Sequence, residues 1–169
     1  MTFIDQNVLA EINPNSFGPQ NLTEELGFLP EIFPFLKDKE ELLGRTRPAL
    51  TFVVAASVRA FRKRCGQPAR SLPAGFMDRI WERWSQGEHE DRIVDLLEAL
   101  EPHLWSYFLH MAQSAVENED WSQQDVAVAS LVYATILFTC IFQFWPEDYV
   151  PELEQALRDH GMSAAVWTV

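Results

Sequence analysis

The sequence predicts an all-α fold, an irregular single-domain bundle of about six to eight helices around a central apolar helix at 122–145. Apolar residues recur at three- and four-residue spacing in nearly every segment after residue 20. Helix start and stop signals bound those segments. No stretch alternates with period two between hairpin turn residues. The 169 residues fit one domain, 1–169, and 47% hydrophobic against 22% charged residues suits a packed core.

Taken in order, residues 1–20, with Asn13-Pro14-Asn15 and Gly18-Pro19, read as an irregular arm. Asn21 with Glu24, and Asp38 with Glu41, resemble capping boxes, the second opening a short helix that Gly44 ends. Pro48 opens a run from Ala49 to Arg64 whose inner face is expected at Phe52, Val53, Ala56, Ala60 and Phe61, with Gly66 as its left-handed stop. Residues 73–86 place Phe76, Ile80, Trp81 and Trp84 on one stripe. The stripe over 89–117 is interrupted by Pro102, which predicts a kink or a split. Ser122 with Asp125 is the strongest capping box in the chain. The last helix is expected from about Pro146 to His160, with Val150, Leu153 and Leu157 inward, a Glu154–Arg158 pair and Gly161 as its stop. An apolar tail, 162–169, follows.

Val126 to Trp145 is 20 residues without a charge, long enough to cross a bilayer. Its flanks are acidic, with Glu119, Asp120 and Asp125 before it and Glu147 and Asp148 after it, and no basic residue sets an orientation. Ser130, Thr135, Thr139 and Gln143 form a mild polar stripe. A central core helix is therefore expected, and a membrane-associated module through 126–145 is a lesser alternative. The opening residues carry no charged n-region and apolar h-region, so a cytoplasmic setting is expected.

Charge is uneven. The net charge of -12 divides into -5 over residues 1–36, +4 over 37–92 and -11 over 93–169. Residues 42–77 contain no acid and hold Arg45, Arg47, Arg59, Arg62, Lys63, Arg64 and Arg70. The plainer reading is a solvated face that balances the acidic remainder. The sharper one is a site for an anion or a partner. Nucleic acid is disfavoured, because the overall negative charge repels a polyanion.

Cys65 stands beside Arg62, Lys63 and Arg64, where positive charge favours a thiolate, so it is a candidate reactive thiol; an ordinary thiol at a helix end is the plainer expectation. Cys140 reads as core. His103 and His110 are seven apart and are expected to be partly buried, while His89 sits in a polar run at 88–91. No metal-binding spacing, glycine-rich phosphate loop or nucleophile motif occurs, so neither metal nor cofactor is expected. Trp167, in the apolar tail, either docks on its own domain or binds another chain.

These observations favour a non-enzymatic interaction module, such as an adaptor, inhibitor or immunity-type protein. It would use an acidic helical surface against another protein, possibly a basic one, with homo-oligomerisation left open. The alternative is a small-molecule or anion-binding helical protein or enzyme using the basic cluster 45–70.

Overall fold

The computed structural model describes residues 3–10, 12, 19–86 and 90–162. Trp167 with the tail 163–169, and His89, lie outside the described residues. The helices in chain order are α1 (Gln6–Ala10), α2 (Pro19–Phe28), α3 (Ile32–Asp38), α4 (Glu40–Leu43), α5 (Arg47–Cys65), α6 (Phe76–Ser85), α7 (Glu90–Leu100), α8 (Pro102–Glu117), α9 (Gln123–Phe144) and α10 (Val150–Asp159). Short 3-10 turns at Gly44–Thr46 and Glu147–Tyr149 lead into α5 and α10. Helices of ten residues or more are α2 and α5 to α10, and no strand occurs among the described residues. The all-α fold expected of the sequence is the one observed.

Helix α9 is the centre. Ser122 accepts the Asp125 backbone N–H at 3.1 Å and Asp125 accepts the Ser122 backbone N–H at 2.8 Å, a complete capping box. From Val132 to Ile141 every residue is buried, because α4, α5, α6 and α7 pack around the helix. Phe76 of α6 stacks on Phe142 at 4.7 Å, and Phe61 of α5 stacks on Phe144 at 5.3 Å. The helix is long and apolar enough to cross a membrane. The expected polar stripe does not bear on that question. Thr135 and Thr139 are buried and donate to the carbonyls of Leu131 and Thr135, at 3.0 and 2.8 Å, a bond that any solvent permits. Protein covers α9 from Val132 to Ile141, while residues 123–128 are exposed or half-buried.

Pro102 splits the 89–117 stripe into α7 and α8, since proline supplies no N–H to continue α7. Gly44, Gly66 and Gly161 have positive φ at the ends of α4, α5 and α10, as their residue type predicts.

Several local expectations are corrected. The arm is not irregular throughout: Asp5 accepts the Val8 backbone N–H at 2.9 Å and starts α1, and Phe3 and Ile4 are buried. Asn21 does not cap α2, which begins two residues earlier at Pro19. Lys39, not Asp38, precedes α4, with no side-chain cap. Phe52 is exposed, whereas Val53 to Val58 are all buried, so α5 is surrounded rather than one-faced. The last helix begins at Val150, after the 3-10 turn, and Val150 is only half-buried. In α10, Arg158 donates to Gln155 at 2.9 Å.

Candidate functional site

The basic residues of 45–70 do not converge as a set, although Arg59, Arg62 and Lys63 line one cleft. Arg45 meets Asp125 at the head of α9, at 2.8 Å, and Arg47 pairs with Glu40. Arg59 and Arg62 of α5 share Glu25 of α2, at 3.5 and 2.8 Å. Arg70 donates to the Phe142 carbonyl and reaches Glu147 at 3.3 Å. Arg64 lies over the Phe3 ring, 4.7 Å from its centroid. At least five of the seven cations thus face a carboxylate from elsewhere in the chain. Their side chains hold α2, α4, α9 and the turn before α10 against α5 and the segment after it. Lys63 is exposed beside Arg59, Arg62, Glu24 and Glu25 in a cleft of about 350 Å³. An anion entering there would find the buried Glu25 carboxylate already between two guanidiniums.

Cys65 is half-buried at the end of α5. Burial pushes its thiol up to about 11, and the opposing pull of Arg64 is smaller. The expected thiolate character is therefore reversed, because desolvation exceeds the neighbouring charge. Cys140 is wholly buried, as expected, and its thiol is also raised by burial. No group of three or more His, Cys, Asp or Glu side chains is placed to hold a metal ion among the described residues.

His103 and His110 share one face of α8. With Tyr107 and Met111 they line a shallow cleft of about 410 Å³ between α8 and α1. His103 is half-buried, but His110 is exposed, contrary to expectation, because α1 is too short to cover it.

A cleft of about 550 Å³ lies between α3 and the turn into α6. Its floor is apolar, made by Phe35, Leu72, Phe76 and Met77, and Pro30, Pro34 and Pro73 stiffen its edges. Glu31 and Asp38 lie seven residues apart on one side of α3, and Asp78 stands in the first turn of α6. None of the lining residues is a cation. The nearest bases are already bonded, one of them to the cleft's own Asp38. Lys39 bonds Asp38 at 2.7 Å while lying over the rings of Phe35 and Trp81, at 5.2 and 4.9 Å. Arg79 donates to the Ala74 carbonyl at 2.6 Å. Elsewhere on α3, Phe33 is 51% exposed, a large apolar side chain turned to solvent.

Sequence reasoning did not find this cleft, since it depends on how α3 meets α6 across 40 residues of chain. The one local signal was the proline frame, Pro30, Pro34 and Pro73, around an acid at each end of α3.

One buried acid was also missed. Glu101, between α7 and α8, is wholly buried and accepts the Ile4 backbone N–H at 3.1 Å and the Trp145 indole N–H at 3.0 Å. Burial pushes its carboxyl up to about 8, against the opposing pull of those two hydrogen bonds, of the positive N-terminus and of the Phe3 backbone N–H.

The chain matches no protein family model, no curated protein and no solved structure.

Proposed function

We propose that this chain is a non-enzymatic interaction module that binds another protein through an acidic helical surface, with the α3–α6 cleft as its docking site. The observation that carries the reading is the cleft itself: an apolar floor, three carboxylates around it and no cation in its lining. That combination complements a basic segment bearing an apolar anchor, which would bury its anchor on Phe35, Phe76 and Met77 and set Lys or Arg against Glu31 and Asp78. The internal pairing of the 45–70 cations supports it, because those charges are occupied within the fold while the net charge of -12 remains to steer a basic partner. The anion-binding alternative has less support, since Glu25 already occupies Arg59 and Arg62.

Affinity capture from the native host at low salt tests the proposal, using wild type, the cleft variant Glu31→Lys/Asp78→Lys and the control Asp95→Lys/Glu98→Lys on α7. A basic polypeptide retained by wild type and control, lost from the cleft variant and released by raised salt is the expected result. Retention of nothing, or equal retention by all three, contradicts it.

A further inference from the structure

Lys39 holds its ammonium in a corner between two helices. Phe35 precedes it by one turn of α3, and the Lys39 backbone N–H bonds the Phe35 carbonyl at 3.1 Å. Trp81 comes from α6, and its ring meets that of Phe35 edge to face, with 6.0 Å between centroids and 72° between planes. The Lys39 Nζ sits in the angle of the two rings, 5.2 Å from the Phe35 centroid and 4.9 Å from that of Trp81. Asp38 closes the third side at 2.7 Å. Two aromatic rings and one carboxylate thus surround one ammonium, and the lysine side chain is only 12% exposed.

A lysine paired with its own sequence neighbour is ordinarily a mobile surface charge. This one is held because the corner is built around it, and the corner stands without it. Phe35 belongs to the buried core and Trp81 packs against that core. Lys39 reaches the rings only by its flexible side chain. Its backbone bonds, to the Phe35 carbonyl and from the Leu43 N–H, do not involve the ammonium. Rotation about side-chain bonds is therefore enough to empty the corner. Phe35 and Asp38 also line the α3–α6 cleft, so the corner adjoins a cavity through which a second ammonium can approach.

We infer that the Phe35–Asp38–Trp81 corner is a binding site for a primary alkylammonium, filled in the resting chain by Lys39. A primary ammonium suits all three sides: the rings take its charge and an N–H remains to donate to Asp38, as Lys39 donates now. A quaternary ammonium has no such donor. A free amine and a lysine of another polypeptide present the same group. The tethered lysine competes at high effective concentration, so an incoming ammonium binds the resting chain weakly and the emptied corner well. The inference does not depend on the docking proposal, because the corner takes an amine whether or not a polypeptide lies in the cleft.

Titration of the full chain carrying Lys39→Ala with n-butylammonium, read by NMR at the Trp81 indole N–H and ring protons, tests it. The expected result is a saturable shift at roughly millimolar concentration. The same shift should need at least about tenfold more amine in wild type, and n-butanol should not reproduce it. Adding Asp38→Asn to Lys39→Ala should weaken the response to the amine. Nα-acetyl-lysine methylamide distinguishes the two sources: binding as tight as butylammonium assigns the site to a polypeptide lysine, and binding of butylammonium alone assigns it to a free amine. No saturable shift in Lys39→Ala, an equal response to butanol, or equal responses in wild type and variant overturns the inference. Should Lys39→Ala not fold, wild type decides. The Lys39 ε-methylene protons should lie upfield under the ring currents of Phe35 and Trp81 and return toward the ordinary lysine position as butylammonium displaces them. Protons at the ordinary position from the start, or unmoved by excess amine, overturn the site.

Discussion

Ser57 Oγ and Tyr133 OH meet at 2.8 Å in the core between α5 and α9, and the direction of their bond is fixed. Ser57 spends its proton on the Val53 carbonyl at 2.8 Å, so the phenol must be the donor. The two removals are therefore unequal. Ser57→Ala strands a buried phenolic proton and should cost roughly 1–3 kcal/mol, whereas Tyr133→Phe leaves the serine proton satisfied and should cost about 1 kcal/mol. The double variant should be more stable than Ser57→Ala alone. Urea denaturation of the three variants measures this ordering.

Two helices end with the same motif built on different residues. In α10, Gly161 has φ 71, its N–H reaches the Arg158 carbonyl and the Met162 N–H reaches Leu157. In α8, Glu119 has φ 60, its N–H reaches Val116 and the Asp120 N–H reaches Ala115. Glycine is at ease in this left-handed position and glutamate is not. Glu119→Gly should therefore stabilise by up to about 1 kcal/mol, and Gly161→Ala should destabilise by about 1–2 kcal/mol. The second change also sets a Cβ 3.2 Å from the Arg92 guanidinium. Thermal melting of each variant checks both signs.

The cap of α9 links the basic third of the chain to the core helix. Asp125 accepts from both the Ser122 N–H and Arg45, and these bonds hold its carboxyl below the ordinary range. Its contribution is present above the unfolded aspartate value and is lost as pH falls through the lowered folded value. Ser122→Ala should cost about 1 kcal/mol by removing the side-chain acceptor of the box. Denaturation curves of this variant at pH 7 measure it.

Glu101 acts in the opposite sense. Its folded value is raised, so its contribution is complete below the unfolded value of 4.5 and is lost as pH climbs toward about 8. The loss approaches 1.4 kcal/mol per pH unit at most. The urea midpoint of wild type should decline between pH 5 and 8, and the difference between wild type and Glu101→Gln should shrink over the same range.

What could be read from the sequence was local. The Ser122–Asp125 box, the break at Pro102 and the stops at Gly44, Gly66 and Gly161 each depend on a few adjacent residues, and each is where the sequence placed it. Asn21 and Asp38 carried similar spacing and failed, because α2 starts earlier at Pro19 and α4 later at Glu40. Asp5 capped a helix without the glutamate three residues on that marks a full box. The partners of the 45–70 cations lie as far as 80 residues away, so a run of bases gave no sign of its own neutralisation. Glu101 belongs to no sequence motif. Its place directly before Pro102, between two apolar stripes, was the only hint of burial. The α3–α6 cleft arises from tertiary packing, which periodicity does not encode.

The docking proposal is tested most directly by the methionine methyl spectrum of the chain with and without its captured partner. Only four methionines occur, and two of them report on rival clefts: Met77 on the apolar floor of the acid-rimmed cleft between α3 and α6, and Met111 beside His103 and His110. A shift of the Met77 methyl with Met111 unmoved, abolished by Glu31→Lys/Asp78→Lys, is the predicted result. A partner that moves Met111 alone, or leaves both signals in place, would contradict the assignment of the acidic cleft as the binding surface.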